Sequence, residues 1–135
     1  LGVQSFLIQA TLAGIQAQRL VRTICNYCIE PFTIEGSKLR LMGLEVGTDD
    51  ELSLRHGIGC PQCRNTGYRG RTGIYEIIPY TESLRKLTTA TADVEQIRNQ
   101  AIKEGMTTLR ESAIDKMLHG VTTYQDVQRV TWETI

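Results

Sequence analysis

G-C-P-Q-C-R-N-T-G-Y-R-G-R-T-G-I-Y-E, residues 59–76, joins a cysteine pair to a run of β-branched and aromatic residues. The pair, Cys60 and Cys63, has a counterpart upstream in C-N-Y-C, at Cys25 and Cys28. Two residues between cysteines let a tight turn bring both sulfurs onto one ion, and zinc accepts four thiolates tetrahedrally at about 2.3 Å. The spacing therefore predicts one zinc ion held by Cys25, Cys28, Cys60 and Cys63. Four protein sulfurs close the coordination sphere, so the predicted role is structural and not catalytic. The 31 residues between Cys28 and Cys60 exceed the usual gap of compact zinc folds. The competing readings are two disulfides, four free buried thiols or a redox C-x-x-C pair. Nothing places either pair at the start of a thioredoxin-like helix. His56, four residues before Cys60, could replace a sulfur, but four cysteines already complete the set.

Outward from the clamps, Pro31, Gly36, Gly43, Gly47, Gly57, Gly59 and Pro61 break the intervening segment repeatedly. Little core is expected there. Metal ligation, worth roughly 10–16 kcal/mol in small zinc motifs, is the expected source of its order. A short helix around Ser37–Met42 is predicted, with Thr48–Glu51 an exposed loop or a helix start. Thr72–Ile78, before Pro79, reads as a strand. Gly67, Gly70 and Gly73 are expected to serve backbone turns. Val3 to about Leu12 reads as a short helix buried on several sides. The stretch from Ile15 to Ile24 fits a helix or a strand.

Beyond the strand the pattern is helical. Thr81 and Glu82 open a helix to about Thr89. Asp93 caps the next, whose apolar stripe is Val94, Ile97, Ala101 and Ile102, and Gly105 ends it. Thr108 caps a third, with Leu109, Ala113, Ile114, Met117 and Leu118 facing inward, stopped at Gly120. Thr123 starts a fourth, with Tyr124, Val127 and Val130 on one face.

Composition narrows the function. Fifteen basic residues balance fifteen acidic ones across 135 positions, against the basic excess of a nucleic-acid binder. No apolar run approaches the roughly 20 residues that span a bilayer. The start lacks a basic signal region and an initiator Met, so the chain reads as a piece of something longer. No phosphate-cradling G-x-x-x-x-G-K-[ST] loop and no H-E-x-x-H is present. His119, at a predicted helix C-terminus, suits the helix dipole. The chain alone is expected to hydrolyse nothing.

I-Q-A-Q-R-L-V-R-T-I-C-N-Y-C, the block from Gly59, E-G-M-T-T-L-R and G-V-T-T-Y-Q-D-V-Q-R-V-T stand in fixed order over nearly the whole chain. In this it closely resembles the C-terminal part of type II secretion and type IV pilus assembly ATPases, the tetracysteine subgroup. The resemblance implies an α+β, helix-rich fold. In it a strand pair from a RecA-like ATPase sheet carries an inserted four-cysteine zinc module, followed by a C-terminal bundle of three to four helices. Residues 1–24 would be the edge of the ATPase core and 25–69 the zinc module. Residues 70–80 would be the returning strand, and 81–135 the helical bundle. Gly14–Arg22 becomes a strand on this reading.

The parent would be a cytoplasmic homohexamer, peripheral to the inner membrane through secretion or pilus platform proteins. ATP and Mg2+ would bind only in the full-length parent. Arg71 would couple this region to nucleotide or a neighbouring subunit, as a guanidinium suits phosphate or carboxylate. Arg69 has a weaker claim. The alternative is a zinc-ribbon-like nucleic-acid-binding or adaptor module. Cys60→Ser is expected to unfold residues 25–63 and spare the helices of 94–131.

Overall fold

β-Branched and alternating residues set the strands, and capped amphipathic runs set the helices. A computed structural model describes residues 1–132. In chain order it contains α1 (Ser5–Thr11), β1 (Gly14–Ile24), β2 (Ile29–Glu35), α2 (Gly36–Leu41) and β3 (Glu51–Gly57). A 3-10 turn over Pro61–Cys63 leads to β4 (Tyr68–Pro79). There follow α3 (Glu82–Leu87), α4 (Val94–Lys103), α5 (Leu109–Leu118) and α6 (Tyr124–Thr131). The fold is α+β, with two strand pairs, a four-cysteine cluster and C-terminal helices. β1 pairs with β4, and β2 pairs with β3. The last positions of the predicted helical bundle, 133–135, lie outside the described residues.

The chain divides into two units. The first comprises Leu1–Arg19 and Tyr75–Ser112. Its core is Leu84, Ala101 and Met106, with Ile78, Tyr80 and Ile97 packed against them. Thr81 caps α3 by accepting from the Leu84 N–H, and Asp93 caps α4 by accepting from the Glu95 N–H. Thr108 and Glu111 form a reciprocal capping box at the start of α5. Gln9 ties α1 to α3 by donating to the Arg85 and Thr88 carbonyls.

Two expectations change here. α1 forms but none of its residues is fully buried, and Phe6 and Leu7 stay exposed because no second layer covers them among the described residues. On α4 only Ala101 is fully buried, while Val94 and Ile102 are exposed. α3, six residues long, offers too short a surface to cover the whole stripe.

The second unit comprises Leu20–Ile74 and the chain from Ala113 onward. The segment between the clamps corrects the expectation of little core. β2 and β3 are antiparallel, with Phe32 opposite Leu54 and Ile34 opposite Leu52. α2 packs on β2, and Ile34, Leu39, Met42 and Leu54 are buried. Apolar residues alternate with polar ones on both strands, so one face of the hairpin can be covered by a single short helix. The turn Thr48–Asp50 is a loop, and Glu51 begins a strand instead of a helix.

Val21, Ile24, Ile74, Ala113, Ile114, Met117, Val127 and Val130 supply the remaining buried apolar residues of this unit. Tyr124 joins them on the predicted face of α6. Leu118, expected inward, is exposed; it is the last residue of α5, just ahead of the left-handed Gly120. Gly73 lies within β4 and serves no turn.

Candidate metal centre

Each clamp is a turn closed by its own backbone. In the first, the Cys28 N–H donates to the Cys25 carbonyl at 3.3 Å. In the second, the Cys63 N–H donates to the Cys60 carbonyl at 3.2 Å, and the Asn65 N–H donates to the same carbonyl at 2.9 Å. Arg64 and Asn65, both at positive φ, reverse the chain so that β4 can start at Tyr68. β1 delivers Cys25 directly, and the Cys25 N–H donates to the Gly67 carbonyl at 2.9 Å. The two clamps are thus cross-tied before any metal is considered.

Gly57 and Gly67 explain how the hairpin fits beside the second clamp. A Cβ on either would overlap the carbonyl oxygen of the other. The end of β3 therefore crosses the second clamp backbone to backbone, a contact open only to glycine.

The sulfurs converge. Cys25 and Cys60 Sγ are 3.8 Å apart, Cys28 and Cys63 3.8 Å, and Cys60 and Cys63 3.7 Å. All four lie within 4.8 Å of one another. A disulfide needs about 2.05 Å. Four thiolates at about 2.3 Å from one tetrahedral ion sit about 3.8 Å from each other. The donor set fits a metal such as zinc, with Cys25, Cys28 and Cys63 buried and Cys60 partly so.

The electrostatics of the cluster are uneven. Burial pushes the Cys28 thiol up, to about 12; the Gly59 N–H opposes this and the other three sulfurs add to it. At Cys63 burial acts the same way but is outweighed. N–H groups of Cys60 and Gly67, at 3.3 and 3.2 Å, and the sulfurs of Cys60 and Cys28 bring it down to about 6. One thiol gives up its proton first and its neighbours hydrogen-bond to it. A bound cation is what would let all four ionise together.

The remaining candidates stand apart from the sulfurs. His56 Nε2 pairs with Glu30 at 3.1 Å and its ring stacks on Phe32, so it is a hairpin residue and not a ligand. His119 Nδ1 lies 2.8 Å from the Asp115 carbonyl at the end of α5. Arg69 and Arg71 are exposed on β4, and the Arg69 guanidinium lies 5.3 Å from the centre of the Tyr27 ring.

A second polar cluster escaped sequence reasoning. Asp126, fully buried, accepts from the Arg22 backbone N–H at 2.6 Å, Arg22 Nε at 2.7 Å and Arg129 Nε at 2.8 Å. Burial raises its pKa, but Arg129 and Arg22 outweigh burial and hold the carboxyl below its ordinary range. The only signal in the sequence was Thr123-x-x-Asp126, a helix-start pattern that gives no hint of a partner 104 residues away.

The sequence model of one family, described as type II/IV secretion system protein, matches residues 1–129. The chain is 39% identical over 133 residues to type II secretion system protein E of Pectobacterium carotovorum, covering 98% of this chain and 26% of that protein. It is 37% identical to type II secretion system ATPase E of Vibrio cholerae, covering 99% and 26%. It is 38% identical to the type IV pilus assembly ATPase TfpB of Acinetobacter baylyi, covering 96% and 22%. The chain thus spans about a quarter of the length of these relatives. No helix among the described residues is long and apolar enough to cross a membrane.

Proposed function

The chain belongs to the type II/IV secretion system protein family, and from that membership we propose that it is the C-terminal, zinc-bearing part of a motor for type II protein secretion or type IV pilus assembly. Cys25, Cys28, Cys60 and Cys63 hold one structural zinc ion, and residues 25–69 act as its module. Residues 1–24 and 70–80 are then the strand edge of an ATPase core, and 81–135 its helical end. The parent is a cytoplasmic hexamer that binds ATP and Mg2+ elsewhere and works on platform proteins of the inner membrane. Arg71 contacts nucleotide or a neighbouring subunit, and Arg69 assists.

The observation that carries this reading is the approach of four sulfurs from two clamps 31 residues apart, at separations suited to one tetrahedral ion. Zinc, when bound, supplies a cross-link between the ends of β1 and β4. The chain does the rest. Backbone N–H groups of Cys60 and Gly67 support the Cys63 sulfur, and the Gly57–Gly67 contact seats the hairpin. Four sulfur ligands leave no open position for a reacting water. A role in structure or partner contact follows.

Elemental analysis of the pure chain, prepared without chelators or oxidants, tests this. One zinc per chain is expected, lost on treatment with a strong chelator together with protease resistance between residues 25 and 67. A metal-free chain with the same resistance would refute the reading.

A further inference from the structure

The ends of β1 and β4 that flank the two cysteine clamps are clasped a second time, away from the sulfurs. The turn between α5 and α6 runs along β1. The Ile24 N–H donates to the Val121 carbonyl at 2.9 Å, and the buried Thr122 hydroxyl donates to the Arg22 carbonyl at 2.7 Å. Asp126, on the first turn of α6, takes both the backbone N–H and the side chain of Arg22. Tyr68, the first residue of β4, places its hydroxyl 2.5 Å from the Thr123 hydroxyl, and the Arg22 guanidinium lies 4.0 Å above its ring. Arg22 is three residues before Cys25, and Tyr68 is five after Cys63. Three successive ties therefore join the same two strands: the Asp126–Thr123 clasp, the Cys25–Gly67 hydrogen bond and the sulfur cluster.

We propose that Asp126 is a positioning residue for the metal centre: with Thr123 it fixes the separation of β1 and β4 that the four sulfurs require, so that metal retention and the docking of α6 are thermodynamically linked. Neither residue touches a sulfur. The proposal rests on the cysteines binding metal. Its physical basis is that a fully buried carboxylate with three donors cannot release one of them without leaving a buried polar group unpaired. Both guanidiniums are half-exposed, so water screens them and their contribution is discounted, whereas the Arg22 backbone N–H is held within the strand. If the sulfurs part, Arg22 and Tyr68 part with them and α6 loses its hold. By reciprocity, a docked α6 raises metal affinity by the same factor as bound metal favours the docking of α6.

The test uses the full 135-residue chain loaded with zinc. Zinc affinity is measured by equilibrium competition with a chromogenic chelator of known affinity for the wild type, Asp126→Asn, Tyr68→Phe and, as a control in the other unit, Leu84→Ala. Hydrogen exchange is followed on the wild type with and without zinc. The expected result is weaker zinc binding by both clasp variants, by about 5- to 150-fold for Asp126→Asn, with Leu84→Ala at the wild-type affinity. Zinc removal should raise exchange across residues 121–131 more than across 94–103. If Asp126→Asn fails to fold, Tyr68→Phe carries the test, since it removes one hydroxyl and keeps the ring. Wild-type zinc affinity in the folded clasp variants, equal weakening by Leu84→Ala, or unchanged exchange at 121–131 overturns the proposal alone. A wild-type chain that holds no zinc overturns the metal reading as well.

Discussion

Replacing Cys60 by serine removes one of four sulfurs and leaves the other three in place. Structural zinc in small motifs is held by about 10–16 kcal/mol, so an equal share per thiolate is about 3 kcal/mol, or about a hundredfold in affinity. Cys60 is the most exposed of the four, and its sulfur lies 3.8 and 3.7 Å from those of Cys25 and Cys63. A hydroxyl is a harder, less readily ionised donor and does not restore the contact. Competition with a chelator of known affinity should therefore show zinc bound about a hundredfold more weakly. Limited proteolysis should show new cuts near residues 25–28 and 58–67.

The core of Leu84, Ala101 and Met106 shares no residue with the sulfur cluster, so α4 should remain protected. α6 should loosen with the clamps, through Arg22 and Tyr68. That narrows the expectation from sequence that the helices of 94–131 would stay largely intact. Wild-type zinc affinity together with an unchanged proteolysis pattern would show that Cys60 is not a ligand.

Other outcomes follow from individual contacts. Leu39→Ala empties a fully buried position between α2 and the hairpin and should cost about 2–5 kcal/mol, read as faster hydrogen exchange across β2 and β3. Thr108→Ala removes one half of the capping box and should lower stability by about 1 kcal/mol in denaturant titration. The folded pKa of Asp126 lies below its unfolded value of about 3.9, so its contribution is fully present above that value and is lost as pH falls through the folded pKa. The stability gap between wild type and Asp126→Asn should therefore be widest at neutral pH and close below about pH 4.

The sequence was most readable where chemistry fixes the spacing. Paired C-x-x-C clamps announce convergent sulfurs, and caps such as Thr81, Asp93 and Thr108 mark helix starts from a few neighbouring residues. The β2–β3 hairpin was harder. Pro31 and many glycines suggested loop, while the alternation in E-L-S-L-R-H-G gives a strand only once Phe32 and Ile34 are seen opposite it. Asp126 was illegible for a related reason. It sits among polar residues on α6, and only the distant Arg22 makes its burial tolerable. The exposed faces of α1 and α4 show the same dependence: an apolar stripe says that a helix has a side to cover, not that a partner covers it.

X-ray absorption at the metal edge of the zinc-loaded chain reports directly on the claim that both clamps serve one ion. A single shell of four sulfurs at about 2.3 Å, with no oxygen or nitrogen neighbour, is expected. A shell with two sulfurs completed by lighter atoms would mean that the clamps act separately and that no single ion joins them.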